Sequence, residues 1–225
     1  IRVQAMDCEN NWGEWSNSVH YYYDATAPVA PVVSGFGSGL SCGVITNTRT
    51  VTVQWNDVFD ASGIAGYQYE ITYPLLGGGT GVWTTFKTVS EHSGPVNEGT
   101  SSVRVRALDN SGLWSAWSNT CSITADWTAP DVTIETPANS AVLSGTVQIR
   151  GSVVDDNPHH YWFVVRGPGG TNITLPHYQT GTINEDESFT DRLIAVWDTT
   201  QYSDGIYIIK LEARDAADNK DAGSV

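Results

Sequence analysis

Methionine occurs once in the 225 residues, cysteine three times and phenylalanine five times. Basic residues are scarce, 11 Lys and Arg against 25 Asp and Glu, for a formal net charge of −14. Such an acidic surface repels phosphate backbones and argues against nucleic-acid binding. No apolar run approaches the roughly 18 residues a membrane-crossing helix needs. No window carries a sustained helical stripe. Neither a CxxC pair nor a chelating His pair is present for zinc. His20, His92 and His177 are isolated, and His159 and His160, adjacent on a predicted strand, should face opposite sides. No Ser/His/Asp order suggests nucleophilic catalysis, and Gly77-Gly78-Gly79 reads as a hairpin turn rather than a phosphate loop. A glycosidase pair of carboxylates would need a walled cleft, which small β-sandwiches seldom build. The chain is therefore predicted not to be an enzyme. Disorder is excluded too, because 40% of the residues are apolar and only 16% charged.

What the sequence does contain is a repeat. Residues 1–28 align without a gap onto residues 103–130, an offset of 102, with Arg2/Arg104, Val3/Val105, Ala5/Ala107, Asp7/Asp109, Trp12/Trp114, Trp15/Trp117, Ser16/Ser118, Asn17/Asn119, Asp24/Asp126, Thr26/Thr128, Ala27/Ala129 and Pro28/Pro130 identical. A weaker third copy runs through 209–220, with Ile209 and Asp215 in the places of Val103 and Asp109. A period of about 100 residues is the size of one β-sandwich. The local pattern agrees. Thr50–Trp55, Tyr67–Tyr73, Val103–Leu108 and Val147–Val153 alternate apolar and polar residues, the mark of strands with one buried face. Clusters such as Asp60-Ala61-Ser62-Gly63 and Asp109-Asn110-Ser111-Gly112 separate the strands.

Two segments, Asp24-Ala25-Thr26-Ala27-Pro28 and Asp126-Trp127-Thr128-Ala129-Pro130, read as short, semi-rigid linkers, because proline fixes its own φ and biases the preceding residue to extended backbone. The expected organisation follows. Residues 1–26 supply the last two strands of an incomplete sandwich, residues 27–128 a complete one, and residues 129–225 a third that lacks its last strand. The predicted class is all-β, tandem immunoglobulin-like sandwiches.

Residues 27–128 resemble a fibronectin type III module. The resemblance rests on Trp55 in the second strand, on Gly66-Tyr67-Gln68-Tyr69-Glu70 in the third and on Val103–Ala107 in the sixth. Ser101 stands where that family usually places the tyrosine-corner Tyr. Residues 129–225 are similar to bacterial immunoglobulin-like repeats in Pro130–Ile134, Thr136–Asn139, Val196–Thr200, Asp204–Tyr207 and Ala213–Asn219, with Tyr207 in the tyrosine-corner position. The resemblance implies extracellular structural or adhesive modules of a bacterial surface protein, stalk or filament. Such modules would meet neighbouring copies or flanking domains, surface glycans or other proteins. They would be joined as a continuous array or by strand sharing at an open edge of the last sandwich. The alternatives are a carbohydrate-binding accessory region of a secreted enzyme, using Tyr21, Tyr22, Tyr23, Trp83 and Trp162, and a receptor-like protein-binding module.

Three groups of side chains stand out. Trp114-Ser115-Ala116-Trp117-Ser118 resembles the WSxWS box of class I cytokine receptors. Arg104 and Arg106 alternate suitably to stack on Trp117 and Trp114, so the box reads either as a structural cation–π ladder or as an exposed binding surface. Cys42 and Cys121 fall where a first and a last strand can be neighbours. They can form a disulfide closing a loop of about 80 residues, worth about 3–5 kcal/mol on the chain-entropy model, or stay as buried thiols. Cys8, the odd one, is left over. Finally, the linker and two loops should bring Asp126, Asp131, Asp155, Asp156, Asp215 and Asp218 to one pole of the last sandwich, the first five being the favoured ligands, and Asp24, Asp57, Asp60 and Asp109 to that of the middle one. Converging carboxylates are hard oxygen ligands for calcium; equally, Asp caps turns through its own backbone. No cofactor is required, and calcium is the one ion these groups suit. Asn172-Ile173-Thr174 is a lone glycosylation sequon.

Overall fold

The computed structural model describes residues 1–37, 39–173, 175 and 187–224. His177 and the Thr174 of the sequon lie outside them. Residues 1–19 form an antiparallel hairpin through Val19 N–H to Ile1 O (3.1 Å), Ser16 to Val3 (2.9 Å), Gly13 to Ala5 (2.8 Å) and Asp7 to Asn11 (2.9 Å).

The middle sandwich has two sheets. One orders β1 (Val33–Phe36), β3 (Thr50–Trp55) and β6 (Glu91–Pro95) as β1-β3-β6. The other contains β2 (Val44–Thr46), β4 (Ile64–Pro74), β5 (Thr80–Lys87), β7 (Gly99–Asp109) and β8 (Cys121–Ala125) in the order β2-β8-β7-β4-β5. All pairings are antiparallel except β2 with β8. Period-two patterning decides which side chains meet between the sheets: in β7 Val103, Val105 and Ala107 are buried and Arg104 and Arg106 are not. Trp55 crosses the core against Tyr67 and Tyr69, with ring centroids 5.7 and 6.3 Å away.

The last sandwich has a separate core. β9 (Asp131–Thr136), β10 (Thr146–Val154) and β13 (Phe189–Asp198) form the sheet β13-β10-β9. β11 (Pro158–Arg166), β12 (Asn172–Ile173), β14 (Ile208–Asp215) and β15 (Lys220–Ser224) form β12-β11-β14-β15. The sheets come close at Gly151, where a Cβ would lie 3.0 Å from Leu211 Cδ2 on β14 of the facing sheet. Tyr207 makes a tyrosine corner, its hydroxyl donating to the Ser203 carbonyl at 2.7 Å. Both units have immunoglobulin-like strand order, and the fold is all-β.

The expectation that residues 129–225 lack a last strand is corrected by β15, which pairs with β14 from Lys210↔Ser224 to Arg214↔Lys220. The 102-residue period misleads here because the two connections differ. The same turn follows β7 and β14, with Asp109 N–H donating to Leu113 O and Asp215 N–H to Asn219 O, both at 3.1 Å, but an irregular stretch then precedes β8 whereas β15 begins at Lys220. The edge of β14 is thus paired, which removes the vacant position that strand sharing required. A second correction concerns His159 and His160. The register of β11 against β14 shifts between Pro158 and His160, and the two rings sit 5.1 Å apart instead of on opposite faces.

Candidate functional site

The sequence repeat is a structural repeat. The bridge Met6↔Trp12 recurs as Leu108↔Trp114. The bonds from Gly13 to Ala5 and from Ser16 to Val3 recur from Ser115 to Ala107 (2.9 Å) and from Ser118 to Val105 (2.8 Å). Even the side-chain clip is copied, with Ser16 Oγ accepting from Val3 N–H and Ser118 Oγ from Val105 N–H, both at 2.9 Å. Ser115 Oγ adds a further acceptor for Ala107 N–H at 2.9 Å. The serines of the box therefore satisfy β7 backbone donors where no regular strand pairs with them, a role invisible in the motif until the hairpin is seen.

The tryptophans hold the other face of β7. The Arg104 guanidinium lies 4.3 Å from the Trp117 ring centre, and Arg106 lies between the rings, 4.7 Å from Trp117 and 4.4 Å from Trp114. The stack continues onto β4, where Glu70 and Gln68 are the register partners of Arg104 and Arg106. Arg104 Nε donates to Glu70 Oε1 at 2.6 Å, and Arg106 Nε to Gln68 Oε1 at 2.7 Å. Gln68 and Glu70 were not singled out from sequence, although their alternation with Tyr67 and Tyr69 already placed them on the wet face. In the first hairpin Gln4 replaces the second arginine and donates to Gly13 O (2.7 Å), leaving Trp12 and Trp15 62% and 58% exposed.

Cys42 and Cys121 are joined by a disulfide, with Cα atoms 5.1 Å apart across 79 residues of sequence. It ties the turn before β2 to the first residue of β8. Cys8 is a free, exposed thiol in the turn of the first hairpin.

At the poles, two carboxylate trios form. Carboxylate oxygens of Asp24, Asp60 and Asp109 lie within 4.8 Å of one another, as do those of Asp126, Asp155 and Asp215. Each trio takes one member from a linker, one from a loop of the following sandwich (β3 to β4 or β10 to β11) and one from the end of its penultimate strand (β7 or β14). Of the predicted set, Asp131 and Asp156 lie outside the second trio on exposed positions, Asp218 lies outside it paired with Arg214, and Asp57 lies outside the first, near the Tyr67 hydroxyl at 3.4 Å.

The trios differ in how their oxygens are used. In the first, each Oδ1 caps its own turn: Asp24 accepts from Thr26 N–H (3.0 Å), Asp60 from Ser62 N–H (2.9 Å) and Asp109 from Leu113 N–H (2.8 Å). The Thr26 backbone N–H and hydroxyl hold Asp24 down at about 2. Oδ2 of Asp24 and of Asp109 are buried without a hydrogen-bond partner, and Asp109 is only 1% exposed. In the second trio, amides occupy such oxygens. Asn157 Nδ2 donates to Asp126 Oδ2 and Asn219 Nδ2 to Asp215 Oδ2, both at 2.7 Å. Burial raises Asp126 above the usual carboxylate range. Burial, aided by the charges of Asp126, Asp215 and Asp156, pushes Asp155 up to about 6.

The second linker is tied on both sides. Thr128 Oγ1 donates to Glu98 (2.5 Å) and Arg49 lies 4.8 Å from the Trp127 ring centre, both from the middle sandwich. Asn219 Nδ2, from the last sandwich, donates to the Asp126 carbonyl at 2.9 Å.

No family profile matches the chain, and no curated protein matches it. Among solved structures it is similar to the CbhA fibronectin(III)-like modules of Clostridium thermocellum, with 13% identity, TM-score 0.33 and coverage of 84% of this chain and 90% of that one. A two-domain fibronectin type III segment of chicken tenascin gives 11% identity and TM-score 0.35 over 89% and 99% of the two chains. Three fibronectin domains of chicken CNTN1 give 16% identity and TM-score 0.31 over 100% and 72%. Likenesses this remote carry no functional argument. The chain's own strand order makes it a tandem of immunoglobulin-like β-sandwiches.

Proposed function

We propose that the chain is a run of structural modules in an extracellular bacterial surface protein, stalk or filament, whose work is to space and carry load between neighbouring modules of a continuous array. The observation that carries this reading is the repeated unit of hairpin, linker and carboxylate trio, which builds both junctions to one plan. The ties from Glu98, Arg49 and Asn219 onto the second linker make that junction stiff, as a spacer requires. The Cys42–Cys121 disulfide fits an oxidising compartment outside the cytoplasm.

Single-molecule pulling tests it. Each sandwich should unfold as a discrete event. In the middle one the disulfide holds back a 79-residue segment, so reduction should lengthen its release by about 270 Å at 3.3–3.6 Å per residue. Featureless extension at low force would remove the load-bearing role.

The carbohydrate-binding alternative is supported by Tyr21, Tyr22 and Tyr23, which are 75%, 72% and 87% exposed in a row. The other aromatics weigh against one platform, because Trp83 packs beside Tyr69 and His92 on the middle sandwich and Trp162 stacks on His160 in the last. Binding on a glycan array that is lost in a Tyr21→Ala/Tyr23→Ala variant would favour it.

A further inference from the structure

We infer that Asp24, Asp60 and Asp109 form a Ca²⁺ site that fastens the first linker to the middle sandwich. Three carboxylates from three separate chain segments approach within 4.8 Å. Two oxygens across one Ca²⁺ ion stand about 4.6–5.2 Å apart at Ca–O distances of 2.3–2.6 Å, so all three fit the shell of a single ion.

The decisive observation is Asp109. Its Oδ1 is used by its own turn, accepting from Ser111 Oγ and Leu113 N–H, both at 2.8 Å. Its Oδ2 is buried and has no partner, and the residue is 1% exposed. A turn-capping role needs only the first oxygen. An anionic oxygen shut away from water beside two further carboxylates is costly unless a cation offsets it. Asp24 repeats the arrangement, with Oδ1 on Thr26 and Oδ2 buried and unpartnered. No Lys, Arg or His forms an ion pair with Asp24, Asp60 or Asp109 among the described residues.

The consequence is mechanical. Asp24 lies in the linker, whereas Asp60 and Asp109 belong to the sandwich that follows. An ion shared by all three fixes where the linker leaves that sandwich. The second trio shows the same frame with Asn157 and Asn219 amides donating to it, whereas in the first trio the corresponding Oδ2 atoms of Asp24 and Asp109 are buried without a partner.

The test uses the full chain, freed of metal by chelator and titrated with CaCl₂ or MgCl₂ by calorimetry. Ca²⁺ should bind in the range of extracellular modules, 10⁻⁴–10⁻³ M or tighter. Affinity at this site should drop about tenfold or more in Asp60→Asn and in Asp24→Asn, the latter lying outside the sandwich and leaving its fold intact. Asp156→Asn should bind as the parent does, and Asp155→Asn assigns any heat that belongs to the second trio. Chymotrypsin cleavage after the exposed Tyr23, beside the linker, should slow on adding Ca²⁺ in the parent and not in Asp24→Asn. The proposal is overturned if the parent binds no Ca²⁺ at about 5 mM, if Mg²⁺ binds equally well, if Asp24→Asn and Asp60→Asn bind as the parent does, or if Ca²⁺ leaves the Tyr23 cleavage rate unchanged.

Discussion

Replacing Arg106 by alanine should cost the middle sandwich about 2 kcal/mol. The guanidinium lies between two indoles, 4.4 Å from Trp114 and 4.7 Å from Trp117, and donates to Gln68 at 2.7 Å. At a partly exposed site each cation–π contact is worth about 0.5–1 kcal/mol, and one charge-assisted hydrogen bond to a neutral acceptor adds roughly another. The stem also covers apolar ring surface, which truncation exposes. Urea unfolding of the full chain measures the change. The transition of the middle sandwich is identified as the one that moves when the Cys42–Cys121 bond is reduced. With a slope near 1.5 kcal/mol/M, the midpoint should fall by about 1.3 M. Arg106→Lys keeps the charge but loses the plane and the Nε donor, so it should recover less than half of the loss. A cycle combining Arg106→Ala with Trp114→Ala should return a coupling of about 0.5–1 kcal/mol. An Arg106→Ala midpoint within about 0.3 M of the parent would refute the ladder as a stabilising element and return the tryptophans to candidacy as a binding surface.

Three further outcomes are expected. Replacing Cys42 and Cys121 together by serine should destabilise the middle sandwich by about 4–5 kcal/mol, since the 79-residue loop is no longer closed in the unfolded chain; a loss under about 1 kcal/mol by urea titration would contradict this. The His92 ring packs tilted against Tyr69, centroids 4.7 Å apart, and burial, with the charge of Lys87, lowers its pKa below the ordinary 6.5. The unfolded chain then takes up the proton first, so the contribution of His92 is complete above about pH 6.5 and is lost as pH falls through it; His92→Gln should flatten that part of the melting-temperature profile, and an unchanged profile would refute it. Tyr207→Phe removes the 2.7 Å bond to Ser203 O and should lower the stability of the last sandwich by about 0.5–1 kcal/mol, with no change in the middle one; equal stability of variant and parent would show that the corner is not stabilising.

The sequence by itself determined the fold class, the strands of alternating pattern and the repeat. Each follows from information local in the chain: Val103, Val105 and Ala107 alternate with arginines because one face of β7 is buried, and Asp109 begins a turn because its Oδ1 accepts from the Ser111 hydroxyl and the Leu113 N–H, two and four residues on. The pairing of Arg104 and Arg106 with two tryptophans was legible for the same reason, since hairpin partners are near in sequence. The tertiary structure alone decided what depends on contacts across long separations. It joined Cys42 to Cys121 and set Glu70 and Gln68 under the ladder. It closed the last sandwich with β15, because after a turn that Asp215 shares with Asp109 the chain pairs with β14 at once instead of passing through the irregular stretch that precedes β8. It also selected three carboxylates from each larger predicted set. Asp57, Asp131 and Asp156 carry the same charge as their neighbours, but their backbone positions aim them at solvent or at Tyr67. Asp24, Asp60 and Asp109 meet because a linker and two loops, 36 and 49 residues apart along the chain, end at one pole of one sandwich.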